Sequence, residues 1–183
     1  MTPDLPEGKR GRSLRSRQET KLRPTADKVI GALFDILRSR LENARFLDLF
    51  AGTGAVGLEA LRYGACSTVL VEKSHKAIGW IKKKLSQSPG SKATLLPMDV
   101  FRAIPQLAAK GCQFDVIFLD PPYDQGLVGR TLVMLARTAL LPSGAIIVVE
   151  HSMREESSAE GFKLMRTYRY GDTRLSLMER SMH

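Results

Sequence analysis

Asp120-Pro121-Pro122-Tyr123 is the tetrapeptide in this chain best equipped for chemistry. Two consecutive prolines fix φ and remove two backbone donors, so the Asp carboxylate and neighbouring carbonyls project as a stiff set of acceptors. The aromatic ring that follows offers a flat face. This combination suits a planar base bearing an exocyclic amine: the acceptors grip the N–H bonds while Tyr123 stacks on the ring. The lone pair of such an amine is delocalised and attacks poorly until the nitrogen is held pyramidal. Orientation and preorganised electrostatics therefore matter more here than a strong base. A plain strand-ending Pro-Pro turn is the bland alternative. The buried strand before it and the acidic strand tips elsewhere in the chain speak against that.

A second group of candidates surrounds Gly52-Thr53-Gly54-Ala55-Val56-Gly57, which fits the GxGxxG pattern of dinucleotide sites and admits a nicotinamide or flavin enzyme. Asp48 lies four residues before the first glycine. A carboxylate there is a poor neighbour for a diphosphate and a good one for a ligand carrying an ammonium or sulfonium group. A bare strand–turn–helix with no ligand is disfavoured, because an Asp within a buried strand needs a partner. Glu72 follows the glycines by about twenty residues, where an acid at the tip of a second strand reaches ribose hydroxyls. Asp99 closes a third strand in the same way. Each of these two acids alone reads as a surface residue; together, on successive tips of one rim, they favour a nucleoside site.

These residues need a parallel sheet to carry them. Phe46 to Phe50, Thr68 to Val71, Ala93 to Pro97, Phe114 to Leu119 and Ala145 to Glu150 read as buried strands. Between them lie helical patterns from Ala55, around Ile78, Trp80, Ile81 and Leu85, from Phe101 to Ala109, and from Leu127 to Arg137. Arg23-Pro24-Thr25 opens an earlier helix whose stripe is Ala26, Val29, Ile30, Leu33, Phe34, Leu37 and Leu41. Phe162 to Tyr170 and Arg174 to Glu179 flank Gly171-Asp172 as a closing antiparallel hairpin. The expectation is an α/β, Rossmann-like fold with a mostly parallel seven-stranded sheet, a C-terminal hairpin and helices on both faces.

The chain has 183 residues and 43% hydrophobic content, enough for one domain with a real core. We divide it into a basic, extended arm at 1–22 and a domain at 23–183. The net charge of +9 points to a polyanionic partner. Lys9, Arg10, Arg12, Arg15, Arg17 and Arg23 crowd the arm and its junction as candidate phosphate contacts, and Lys73 to Lys92 is a second basic stretch without an acid. No apolar run approaches membrane-spanning length and no signal-type stretch follows the basic start, so a cytoplasmic protein with no membrane partner is expected. Cys66 and Cys112, in neither CxxC nor CxxH context, read as small buried hydrophobes. His75, His151 and His183 are not spaced as ligands, and no metal is expected.

Asp48-Leu-Phe-Ala-Gly-Thr-Gly54 resembles the first, AdoMet-binding motif of class I methyltransferases, and Asp120-Pro-Pro-Tyr123 resembles the catalytic motif of amino-group methyltransferases acting on nucleic acid bases. More narrowly, Gly11-Arg12, Arg23-Pro-Thr25, Asp27-Lys-Val29, Ala32-Leu33-Phe34, Gly57-Leu-Glu-Ala-Leu61 and Tyr170-Gly-Asp-Thr173 are similar to the RsmD family, over about Gly8 to Arg180. Met1 to Glu7 departs from the short strand pair with which that family usually begins.

The resemblance implies transfer of the AdoMet methyl group to N2 of a guanine in 16S ribosomal RNA, as naked RNA or in the assembling 30S subunit, by a monomer. It implies that Asp48, Phe50, Ala51, Gly52, Thr53 and Gly54 hold the methionine end of AdoMet, Glu72 the ribose, and Asp99 with Val100 the adenine, with Thr25 and Arg23 closing the site. Asp120 and the Pro121 carbonyl would hold the target N2, with Pro122 stiffening the turn and Tyr123 stacking on the guanine. The residues by themselves leave open an adenine-N6 or cytosine-N4 methyltransferase of DNA or RNA, and a non-catalytic RNA-binding assembly factor.

Overall fold

The computed structural model describes residues 24–155 and 159–181, with side chains from Val29 onward. Helix α1 (Pro24–Leu41) leads into β1 (Arg45–Asp48), α2 (Ala55–Arg62), β2 (Ser67–Val71), α3 (His75–Ser86), β3 (Ala93–Leu96) and α4 (Val100–Ala109). Then come β4 (Val116–Leu119), α5 (Leu127–Ala136), β5 (Ile146–Ser152), β6 (Phe162–Tyr170) and β7 (Thr173–Arg180). The strands form one seven-stranded sheet in the order β3-β2-β1-β4-β5-β7-β6. The first five strands pair in parallel, while β7 is antiparallel to both β5 and β6. The order reverses between β1 and β4, so a crevice is expected beyond their C-terminal ends.

The central strands are buried on both faces, and their two-residue alternation feeds two cores. Leu47, Ile117, Leu119, Ile147 and Val149 face α4 and α5. Phe46, Val116, Phe118, Ile146 and Val148 face α1 and α2, where Leu33, Phe34, Leu37 and Leu41 of the expected α1 stripe complete the layer. A smaller cluster of Ala51, Leu70 and Ile81 seats α3. Trp80, grouped above with the apolar residues of α3, instead turns to solvent, because Ala77, Ile78 and Ile81 supply the buried face. Cys66 and Cys112 are half-buried rather than fully enclosed.

At the end of the sheet opposite the crevice, Arg45 grips Asp115 with two guanidinium N–H bonds of 3.0 and 2.8 Å plus its backbone N–H at 2.8 Å, holding that carboxyl below its usual range. His151 is buried between β5 and β7. Its Nδ1 lies 3.0 Å from the Ser152 carbonyl oxygen and 3.1 Å from that of Glu155. Both are acceptors, so Nδ1 carries the proton and Nε2 accepts from Ser176 Oγ at 2.9 Å. Edge strand β6 is protected by Lys163, Arg166 and Arg169 and by an irregularity between Leu164 and Arg166.

Gly57 shows how tightly α2 is seated. A Cβ there would overlap Leu70 Cδ2 and come within 3.1 Å of Thr68 Oγ1 and 3.3 Å of Asp48 Cβ. Helix propensity alone favours Ala over Gly by about 1 kcal/mol. Gly57→Ala is nevertheless expected to destabilise the protein by about 1–3 kcal/mol in urea unfolding, because overpacking dominates. A stabilised variant would show that α2 can lift off the sheet without cost.

Candidate active site

The crevice begins at the turn after β1. Gly52 and Gly54 have φ of 52° and 73°, left-handed values that side chains disfavour, and Gly54 is the residue from which α2 starts. The turn is held from two sides. Asp48, 1% exposed, accepts the Gly57 N–H at 3.2 Å through Oδ2, while Oδ1 has no donor among the described residues. Glu72 at the tip of β2 accepts the Gly52 N–H at 2.7 Å through Oε2, and the N–H groups of Lys73 and Ser74 at 2.9 and 2.7 Å through Oε1. A carboxylate offers about four acceptor sites, so Glu72 retains one for a ligand hydroxyl.

Removal from water pushes the Asp48 carboxyl up to about 7, an effect offset in part by the Gly57 N–H and reinforced by Glu72. A buried carboxyl with one oxygen lacking a donor, beneath a glycine turn, fits a ligand that brings positive charge. It does not fit a diphosphate.

Beyond the turn lies a cavity of about 580 Å³, within the range of small-molecule sites. Phe50, Gly52 and Glu72 form one side, Asp99 and Phe101 the next, and Asp120 to Tyr123 the other. Asp99 caps α4 by accepting the Phe101 N–H at 2.9 Å and pairs with Lys73 Nζ at 3.2 Å. The Phe101 N–H and then Lys73 hold its carboxyl below the usual range. The guanidinium of Arg130 lies 3.8 Å from the Phe101 ring centre, stiffening that wall.

Asp120 follows the last residue of β4, with Pro121 buried behind it. Asp120 itself is exposed, on the lining of the cavity. Loss of part of its carboxyl's hydration, then the nearby carboxylates of Glu150 and Asp48, push it up to about 8. Glu150, in the neighbouring strand β5 just past its pairing with β4, is likewise raised by burial. The Tyr123 hydroxyl donates to Glu150 Oε1 at 3.1 Å and lies 3.4 Å from Thr173 Oγ1, which fixes the ring at the mouth. Burial of that hydroxyl pushes it up to about 12, so it stays a donor.

The structure thus brings Phe50, Gly52, Glu72, Asp99, Val100 and the whole of Asp120 to Tyr123 to one cavity. Asp48, Ala51, Thr53 and Gly54 are not on its lining: Asp48 lies under the turn, Ala51 binds β2 through its N–H to the Val71 carbonyl at 2.9 Å, and Thr53 faces outward. Lys9, Arg10, Arg12, Arg15, Arg17, Arg23 and the side chain of Thr25 lie outside the described residues, as does the expected boundary at 22–23. Sequence reasoning missed Glu150, Lys73 and Phe101. Glu150 carried a usable signal, an acid ending an apolar strand as at Glu72 and Asp99. Among the described residues, no three His, Cys, Asp or Glu gather as metal ligands, and no helix is long and apolar enough to cross a membrane.

Comparison with known proteins adds relatives to this geometry. Residues 8–179 match the family described as "Conserved hypothetical protein 95". The chain is 36% identical over 141 residues to the ribosomal RNA small subunit methyltransferase D of Escherichia coli, covering 77% of this chain and 70% of that protein. It is 32% identical over 143 residues to the Haemophilus influenzae protein of the same name, covering 77% and 74%. A solved structure of a conserved hypothetical protein from Streptococcus pyogenes superimposes with a TM-score of 0.74 at 30% identity, covering 82% of this chain and 94% of that one.

The two raised carboxyls have a consequence for stability. Both lie above the ordinary value of 3.8, so the folded chain holds these protons more tightly than the unfolded chain. Their contribution is present in full below the unfolded value and is lost as pH rises through about 7 and about 8. Urea midpoints of the ligand-free protein should fall across that window, and Asp120→Asn, which cannot ionise, should flatten its upper part. An Asn variant with an unaltered slope would place the cost on another group.

Proposed function

The chain belongs to the Conserved hypothetical protein 95, or RsmD, family and is a methyltransferase, and from that premise we propose that it methylates N2 of a guanine in 16S ribosomal RNA, using AdoMet. The observation that supports this reading most is the single cavity joining the acidic glycine-turn rim to Asp120-Pro121-Pro122-Tyr123. One wall suits a cationic nucleoside; the facing wall suits a ring amine.

AdoMet would supply an electrophilic methyl group on a positively charged sulfur. Phe50 and Gly52 would receive its methionine end, with Asp48 holding the turn from beneath and lending negative charge. Glu72 would take a ribose hydroxyl with its remaining acceptor site, and Asp99 with the start of α4 would face the adenine. The positive charge would favour the ionised forms of Asp48 and Asp120, drawing both down from their raised values. Asp120 then accepts one N–H of the target amine and the Pro121 carbonyl the other, orienting the lone pair towards the methyl group. Tyr123, anchored by Glu150 and Thr173, stacks on the guanine. The proton released on methylation can rest on Asp120, whose neighbour Glu150 favours a protonated pair. Bringing the base out of its stack costs a few kcal/mol, and stacking on Tyr123 returns about 1–3 kcal/mol. Contacts from the basic arm, Lys9 to Arg23, to phosphates of the RNA or of the assembling 30S subunit contribute the salt-sensitive remainder.

The test is incubation with methyl-labelled AdoMet and small ribosomal subunits lacking endogenous modification, followed by digestion of the RNA to nucleosides. Label in N2-methylguanosine is expected. Label in N6-methyladenosine would move the target base while leaving the role of Asp120 in place. Asp120→Ala should abolish turnover and leave AdoMet affinity largely unchanged; equal loss of both would make Asp120 a cofactor residue.

A further inference from the structure

Helix α3 carries a surface that the cavity does not explain. Its inward residues Ala77, Ile78 and Ile81 are buried, while Lys76, Trp80 and Lys83 are exposed. Spacings of four and three place these three on one ridge, spanning about 10 Å of helix. Trp80 is 42% exposed, and Lys76 Nζ lies 5.1 Å from its ring centre.

The sequence from Lys73 to Lys92 holds no acid. Among the described residues, Lys76 and Lys83 form no ion pair, whereas Lys73 pairs with Asp99. The ridge is also fixed relative to the cavity. Lys73, just before α3, lines the cavity rim, and Lys84 Nζ donates to the Thr53 carbonyl at 2.8 Å. Ile81 Cγ1 lies 3.1 Å from where a Gly54 Cβ would sit.

A single exposed aromatic needs no explanation. An aromatic set between lysines on a rigid ridge that starts at the rim of a base-accepting cavity is a different matter. Ammonium groups that track phosphates and a ring that stacks on a base are the two parts of a single-strand site. A protein partner would call for an apolar groove, and Trp80 is flanked by lysines instead. We propose that the Lys76–Trp80–Lys83 ridge of α3 docks an unpaired segment of the RNA substrate, with one base stacked on Trp80 and flanking phosphates on the lysines. The inference rests on the RNA reading above and adds to it where the RNA lies outside the cavity.

Trp80 is the chain's one tryptophan, so its emission reports on this ridge alone. Titration with an unpaired RNA oligonucleotide should quench it saturably, and base-free polyphosphate should not. With fluorophore-labelled RNA, Trp80→Ala should weaken binding about tenfold, the size of a lost stack, and Trp80→Phe should restore most of it. AdoMet affinity should be unchanged in both. Lys76→Gln with Lys83→Gln should lower the slope of log affinity against log salt by about 1.4. RNA bound and methylated with unmoved Trp80 emission and wild-type affinity in Trp80→Ala would overturn the proposal and leave the function standing. Equal quenching by polyphosphate would overturn the stacked base. No RNA bound or methylated by the parent protein would remove both readings together.

Discussion

Two carboxylates hold the glycine turn, and the site depends on that clamp. Asp48 takes the Gly57 N–H from beneath, while Glu72 takes the Gly52 N–H from the next strand. Gly52 and Gly54 occupy left-handed conformations that glycine adopts freely among many others, so hydrogen bonds to fixed acceptors select one shape for the turn. Because β1 and β2 are paired in register from Arg45 with Ser67 to Asp48 with Leu70, the two acids cannot drift apart. Glu72 also accepts the N–H groups of Lys73 and Ser74, the latter being the residue that caps α3. One side chain therefore sets the glycine turn, the strand tip and the start of the next helix together.

The cost of this arrangement is electrostatic. Glu72, Asp99 and Asp120 line one cavity, with Asp48 beneath its glycine turn and Glu150 behind Tyr123, in a chain whose net charge is +9. Each finds a different settlement. Asp99 is satisfied by a helix N-terminus and Lys73, which lower its pKa. Asp48 accepts the Gly57 N–H and Glu150 the Tyr123 hydroxyl, yet loss of hydration still raises both, and it raises Asp120 as well. A cation entering the cavity shifts these carboxyls towards their ionised forms. The same crowding counts against a dinucleotide cofactor, whose diphosphate would add to it.

Much of this was legible in the sequence, for identifiable reasons. Buried parallel strands read as short apolar runs, and the acid ending a run marked Glu72 and Asp99 as cavity-lining residues, while the Pro-Pro-Tyr that follows it marked Asp120. The GxGxxG pattern gave the turn but not the division of labour within it. Gly57 reads as a third fingerprint glycine, yet only packing shows that a Cβ there would meet Leu70. Periodicity grouped Trp80 with the apolar residues of α3 because Ile78 and Ile81 flank it, although the buried arc is already filled from Ala77 to Ile81. Glu150 escaped because no motif accompanies it: its part depends on β5 lying next to β4, a fact of strand order. Asp48 was read as facing a ligand, and the strand's alternation turns it towards α2 instead, on the side of Phe46 and away from Leu47.

The distribution of charge also bears on how RNA could reach an acidic rim. A polyanion is repelled by the cavity mouth, so its backbone must be held where positive charge is denser, with only a base, which carries no formal charge, passing the rim. The fold separates the two tasks. Strand tips supply the acids, and at Glu72 and Asp99 the N–H groups of the following turn donate to the carboxylate. The outer face of α3 supplies lysines, because a helix lying on a sheet must expose its polar side. Lys73 stands where the two meet, paired with Asp99 at the rim and one residue before the Ser74 cap. With RNA docked on α3 as proposed, attraction along the helix and repulsion at the mouth would act on different parts of the bound strand, which would favour a flipped base over a backbone lying across the cavity.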